Sequence, residues 1–379
     1  MISLLPLLLS IFIYLFKENE NENSNISILL FGLVSIFFIY YNSLGEYSSN
    51  TILMIFFVTF LTYIWIDFNE KVSVLGGIFI FGAICALSSS SIISLFISIE
   101  ILSLTMIILV NLFIQDQYPG ILYYVFSGLF SALFILSLGY LSMGYYMVYK
   151  LLYIVFFYKM GLAPFHILLP QLYNNLSPRV IFLMDIPYKT LLFMVFYRLH
   201  LTSIDLTLII FITLIIGSIG ALRYKNLLSI MIYSSLYNYG LILISIMYQN
   251  FAIFFIYLII YNFSVIIYLY LLIYRYMDYQ INNSYYLIFW AILLFNLMGI
   301  PPFSGFFTKF FILALSLIHS SFFLFFIISL GVLFLTYTYL RLLISMMINE
   351  RSFDIKYAND NHSHLMSTLL VLSSFPIFF

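Results

Sequence analysis

Five charged side chains stand where a charge is least expected. Glu100 lies inside Ser91-Ile-Ile-Ser-Leu-Phe-Ile-Ser-Ile-Glu100-Ile-Leu-Ser, and Lys159 closes an apolar run just before Gly161 and Pro164. Asp185 and Lys189 are four residues apart, on one face of a helix, and Lys309 follows Gly299-Ile-Pro301-Pro302 by seven residues. Each such charge at mid-bilayer costs at least about 2.5–3.5 kcal/mol on insertion scales, so five of them need a reason. A buried lysine beside a movable carboxylate can exchange its proton as the carboxylate approaches or withdraws. Carboxylates and lysines inside one helical bundle therefore suit a proton relay. The alternative is a set of static ion pairs that only fix helix packing. For Asp185 with Lys189 the two readings stand level, because a local pair neutralises itself. Lys159 and Lys309, each at a helix breaker with no carboxylate nearby in sequence, favour the relay.

His166 is open in the same way. An imidazole can relay protons near neutral pH, or it can cap backbone freed by Pro164. His319, His362 and His364 read as loop residues in water. Tyr, Ser and Thr are plentiful enough to wire water chains, and none is singled out by its position.

The elements that must hold these residues follow from composition. The chain has 379 residues, 64% hydrophobic and only 7% charged. Its mean hydropathy of +1.13 is that of a polytopic membrane protein, since a soluble domain could not hide so much apolar surface. Fourteen Lys+Arg balance fourteen Asp+Glu, which leaves no net charge to attract nucleic acid. Cys85 is the only cysteine, which rules out a disulfide framework, a thiolate zinc site and a cysteine-ligated iron–sulfur cluster. No phosphate-binding loop or dinucleotide fingerprint is present, and no metal or cofactor site is expected on the chain. Phe (43), Tyr (34), Ile and Asn are abundant, and all can be written with AT-rich codons. That points to an AT-rich organelle genome. Lipid compatibility is the competing explanation for Phe and Ile, and it fits Asn and Tyr less well.

A spanning helix needs about 20 mostly apolar residues. Polar breaks divide the chain into fourteen apolar segments, of which the first (2–16) and last (365–379) are the shortest. The first is expected to be a retained helix rather than a signal segment, because no small-residue cleavage site follows it. Segments 7 (145–173) and 12 (286–318) are too long for one straight crossing, and each carries Gly and Pro near its middle. Proline removes a backbone donor, so both helices should break, at Gly161–Pro164 and Gly299–Pro302. Inside a bilayer the freed groups must face protein or a water-filled cavity. Interrupted segments at matching places in two halves point to inverted repeats around a transport path. The expected fold is all-α, with about fourteen transmembrane helices. It divides into an N-terminal three-helix part (1–72), two inverted five-helix repeats (73–200 and 201–348), and a polar loop with a last helix (349–379).

Alternation places Lys17, Lys71, Arg179, Arg223, Lys225, Arg275, Arg351 and Lys356 on one side, against Lys150 and Arg198 on the other. The rich side is the cytoplasmic or matrix side, which puts both termini opposite.

The same residues carry a family likeness. Phe157-Tyr-Lys159-Met-Gly-Leu-Ala-Pro164-Phe-His166 with Pro170-Gln-Leu-Tyr173 resembles the seventh helix of the antiporter-like membrane subunits of respiratory complex I. Ile99-Glu100-Ile-Leu-Ser-Leu resembles helix 5 of that family, Tyr233-Ser-Ser-Leu-Tyr-Asn238-Tyr-Gly240 helix 10, and Gly299-Ile-Pro-Pro-Phe-Ser-Gly-Phe-Phe-Thr-Lys309-Phe helix 12. Lys189, thirty residues after Lys159, matches the spacing of the next intramembrane lysine. The likeness covers residues 88–340 and is strongest to the chain 2 type of NADH:ubiquinone oxidoreductase, since the chain 4 type usually has glutamate in place of Lys309.

The resemblance implies one proton channel, with Glu100 and Lys159 as a modulating pair, Lys189 as the central relay and Lys309 as the exit or connecting site. It also implies a mitochondrial inner-membrane location with the termini toward the intermembrane space. FMN, iron–sulfur clusters and quinone would sit in partner subunits. Other complex I membrane subunits, neighbouring antiporter-like chains among them, and lipids would be the partners. Three departures stand out: Asn238 replaces a common histidine, Gln171 a frequent acid, and Leu228 and Ser229 stand where a basic residue usually precedes Tyr-Ser-Ser. Asp185 is an extra acid beside Lys189. A multisubunit cation/proton antiporter shares these motifs, and a structural spacer with a decayed path is a third reading.

Overall fold

The computed structural model describes residues 70–350, apart from 90, 115, 143–148, 200–203 and 277–283. The expectations for segments 1–3 and 14, with Lys17, Arg351, Lys356, His362 and His364, lie outside the described residues, as do the side chains of Lys71, Arg179 and Arg275. Among the described residues every regular element is helical, and eight helices are long and apolar enough to cross a membrane. Two shorter apolar helices, Ile288–Met298 and Ser304–Ile318, flank the second Gly/Pro break.

The described residues group into two compact units. One holds the chain through Met160 together with Asn175–Leu199; the other holds Gly161–Asn174 and the chain from His200 on. The first unit comprises α1 (Glu70–Ser88), α2 (Ile92–Phe113), α3 (Gln117–Ser142), α4 (Tyr149–Met160) and a last crossing. That crossing runs from α6 (Pro178–Leu183) through a π-helical turn (Met184–Tyr188) into α7 (Lys189–Arg198). In the second unit a 3-10 turn (Phe165–Ile167) leads into α5 (Leu168–Asn174). It continues with α8 (Ile204–Arg223), α9 (Leu227–Met247), α10 (Phe251–Tyr276), α11 (Ser284–Met298), α12 (Ser304–Ile318) and α13 (Phe322–Glu350).

Local chemistry explains the ends. Ser91 starts α2 by accepting from the Ser94 amide at 3.2 Å, which satisfies one of the four free N–H groups of a helix start. Both long segments break where Gly and Pro stand. α4 stops at Met160, Gly161 takes φ +72°, and the helix resumes only after Pro164. α11 stops at Met298, Gly299 takes φ +78°, and α12 begins after Pro301-Pro302. A left-handed residue just past a helix end is the usual glycine C-cap, and the proline behind it blocks continuation. Pro119, beside the polar Gln115-Asp116-Gln117 stretch, could be read from sequence as part of the break before α3. It sits instead in the first turn of that helix, where a missing N–H is tolerated.

The π-helical turn holds Pro187, which has no N–H to give a regular α-helical ladder. Asp185 is therefore carried by a widened turn and Lys189 by the first position of α7 behind it, and not both by the plain α-helical face that their spacing suggested.

Each unit closes in a similar way. α1 packs on α2 and on α7 in the first, and α8 packs on α9 and on α13 in the second. Arg198, ending α7, donates from Nη1 to the Leu87 carbonyl at 2.6 Å. Arg341, late in α13, donates to the carbonyls of Leu222 (2.9 Å) and Tyr224 (2.5 Å). In each unit a guanidinium on a later helix, α7 or α13, satisfies carbonyls at the C-terminal end of an earlier one, α1 or α8, where the helix dipole favours a cation.

Candidate proton-transfer site

In the first unit, packing of α3 between α2 and α4 accompanies an ion pair across 59 residues of sequence. The Lys159 ammonium donates to Glu100 Oε1 at 2.6 Å, with side-chain exposures of 3% and 21%. The Ser103 hydroxyl, three residues on, has two alternative acceptors, the second carboxylate oxygen at 3.2 Å and the Glu100 backbone carbonyl at 3.0 Å. Lys159 stands in the last turn of α4, where the dipole also favours its charge. Glu100 thus has one oxygen on an ammonium and the other within reach of a hydroxyl, and it keeps partial access to its surroundings.

Asp185 and Lys189 form a second pair, both buried, with the ammonium donating to Asp185 Oδ1. Tyr188, adjacent in sequence to Lys189 and buried, lies within electrostatic reach of Glu100, Tyr123 and Tyr158. Tyr188, on the turn that carries the second pair, thus lies near the carboxylate of the first. Sequence reading found no reason to prefer any tyrosine. The available signal was the adjacency of Tyr188 to an intramembrane lysine.

In the second unit Lys309 is buried and reaches back across the Gly/Pro break. Its ammonium donates to the carbonyls of Leu297 (2.5 Å) and Met298 (2.9 Å), the last carbonyls of α11. Among the described residues no carboxylate lies within ion-pairing distance. Asn296 completes the break from the other side. Its Oδ1 accepts from the Gly305 amide at 2.8 Å and from Ser304 Oγ at 3.1 Å, which caps the first turn of α12. The freed backbone groups thus meet protein donors and acceptors, as a break inside a bilayer requires. Asn296 was missed in the sequence; the available signal was an amide in an apolar run one turn before the glycine.

His166 lies half-buried in the 3-10 turn, its ring edge-on to Tyr233 at 6.0 Å, and Tyr233 stacks on Tyr224 at 5.1 Å. His319 is exposed and stacks on Tyr248 at 4.0 Å. The structure brings together Glu100 with Lys159 and Asp185 with Lys189, and it places Lys309 on carbonyls instead of a carboxylate.

Residues 121–336, more than half of the chain, match the family described as NADH:quinone oxidoreductase/Mrp antiporter, transmembrane. The chain belongs to this family. NADH-quinone oxidoreductase subunit N of Wolbachia sp. subsp. Brugia malayi is 26% identical over 294 residues, 64% of this chain and 62% of that protein. The chain therefore spans less than two thirds of that relative. NADH-ubiquinone oxidoreductase chain 2 of Artemia franciscana is 28% identical over 238 residues, 60% of this chain and 75% of the relative. The fold is similar to a chain of respiratory complex I from Thermus thermophilus, with a TM-score of 0.82, 16% identity and coverage of 98% and 96%. It is also similar to a chain of the Mrp complex from Dietzia sp., with a TM-score of 0.75, 15% identity and coverage of 90% and 78%. The family match and the long apolar helices together make the chain a multi-pass, antiporter-like membrane protein of this family.

Proposed function

We propose that the chain is a proton-translocating subunit of a mitochondrial NADH:ubiquinone oxidoreductase. In this reading it has about fourteen helices, with two inverted five-helix repeats interrupted at segments 7 and 12. The observation that carries the proposal is a buried lysine at each of two helix breaks, one on a carboxylate and one on freed carbonyls. Glu100 and Lys159 act as the pair whose separation changes, Lys189 with Asp185 as the central exchanger, and Lys309 as the exit or connection. His166 is an accessory candidate. Partner subunits carry FMN, iron–sulfur clusters and quinone, and their redox chemistry drives the movement. Neighbouring antiporter-like chains and lipids surround this one, and the termini face the intermembrane space.

The fold likeness to a chain of an Mrp complex supports the second reading, a subunit of a multisubunit cation/proton antiporter. The subunits that copurify with the chain, identified by mass spectrometry, separate the two readings.

The test of the relay is proton uptake coupled to NADH oxidation in reconstituted native complex carrying Lys189→Ala, normalised to assembled enzyme. A fall of about tenfold or more is expected for loss of a proton-transferring group. Full coupled uptake would return Lys189 to packing and remove the proposed path.

A further inference from the structure

One buried polar cluster in the second unit is used by neither helix break. Asn238 on α9 is almost fully buried, and both ends of its amide are engaged. Its Oδ1 accepts from the Tyr257 hydroxyl of α10 at 2.7 Å, and its Nδ2 donates to the Ser234 carbonyl one turn back at 2.9 Å. The Tyr339 hydroxyl of α13 is buried beside Ser234, yet it completes no hydrogen bond of normal geometry among the described residues. Tyr237 belongs to the wall instead, since its hydroxyl donates to the Ile328 carbonyl at 2.8 Å. The helix that carries Lys309, α12, packs against α9, α10 and α13 alike. Three helices packed on the one that carries the buried lysine thus present hydroxyl or amide groups to one another in the interior of the unit.

The chemistry of these groups differs. An amide oxygen is a good acceptor, but it does not take up and release protons near neutral pH, whereas a hydroxyl both donates and accepts. Asn238 therefore cannot pass a proton on. It does fix the direction of the one hydrogen that Tyr257 carries, which leaves a lone pair of the phenol oxygen open on the other side. The Tyr339 hydroxyl, short of a partner, is the kind of buried group that an internal water satisfies.

We infer that the Tyr257 hydroxyl relays protons in the second unit and that Asn238 is the positioning residue that aims it. In one transfer the Tyr257 hydroxyl turns from Asn238 Oδ1 to an acceptor hydroxyl or water and gives up its hydrogen there, while its oxygen takes a proton from a donor water on the other lone pair. The phenol stays neutral, and its hydroxyl then turns back to Asn238 Oδ1. No oxidant or reductant takes part, and one proton enters for each that leaves. This step rests on the proposed proton-translocating function.

The experiment measures coupled proton uptake per assembled complex, in native complex reconstituted into sealed vesicles. Tyr257→Phe removes one oxygen and keeps the ring, and it is expected to lower uptake on the order of tenfold. Asn238→Leu, which leaves Tyr257 without its acceptor, is expected to lower uptake as well. Asn238→Gln, close to leucine in volume but with an amide oxygen that can accept from Tyr257, is expected to restore it, whereas a purely space-filling role would treat the two alike. Full uptake in Tyr257→Phe overturns the inference, and so does a loss of assembly with unchanged uptake per complex. Lys309→Ala in the same assay keeps the two levels apart. Normal uptake there sinks the proton path itself, while a defect there beside a normal Tyr257→Phe sinks the hydroxyl relay alone.

Discussion

Replacing Glu100 by glutamine tests the ion pair at its weakest point. The amide keeps the shape of the carboxylate and one oxygen for the Lys159 ammonium, so what is lost is the charge. Lys159 is 3% exposed at its side chain and holds Glu100 Oε1 at 2.6 Å, so water does little to replace the missing partner. Removing one member of a buried pair costs about 3–5 kcal/mol. With the glutamate side chain 21% exposed the lower end applies, about 3 kcal/mol or a factor on the order of 100. The assay is coupled NADH oxidation with proton uptake in reconstituted complex, for Glu100→Gln, Lys159→Gln and the double variant. If the two residues act as one switch, the double variant is no slower than the worse single, because the second change removes an interaction already lost. Additive losses, or parental uptake in Glu100→Gln, would refute the claim that the pair is a functional unit.

Two further outcomes follow from the break and the helix ends. Gly299→Ala places a Cβ 2.9 Å from Lys309 Cδ and 3.2 Å from the Gly305 carbonyl, at φ +78°. A left-handed alanine costs about 1–2 kcal/mol. The assembled complex should melt earlier and take up fewer protons, and parental values in both measurements would show that this C-cap does not aim Lys309. Arg341→Gln and Arg198→Gln each remove charge-assisted bonds to helix-end carbonyls, worth about 1.5–3 kcal/mol apiece. Assembly on native gels should fall, more for Arg341 with its two carbonyls, while uptake per assembled complex stays near parental; unchanged assembly of Arg341→Gln would count against the clamp.

What could be read from the sequence was what local chemistry decides. Gly161 and Pro164, and again Gly299 with Pro301 and Pro302, interrupt a helix whatever surrounds them, so both breaks were legible before any packing was known. The intramembrane charges were legible from their insertion cost. Pro187 carried the same kind of local signal, and its π-helical turn under Asp185 was still overlooked because the surrounding run is continuously apolar. Contacts between distant segments were not legible. The reach of Arg198 to Leu87 spans 111 residues, and that of Arg341 to Leu222 spans 119. For Glu100 and Lys159 a family likeness named the pair, while spacing alone did not.

The structure adds a difference that lysines at two similar breaks would not suggest. Glu100 belongs to another helix, so the charge beside Lys159 can move away. The carbonyls of Leu297 and Met298 belong to the helix end beside the break itself, so the acceptors of Lys309 stay wherever α11 ends. A partner that can withdraw suits a switch; two fixed carbonyls suit a site that holds its proton until another acceptor arrives. In the proposed proton path the first unit would hold the variable element and the second the waiting one, and charge changes at Glu100 should alter coupling more than polar changes around Lys309 that leave its carbonyls in place.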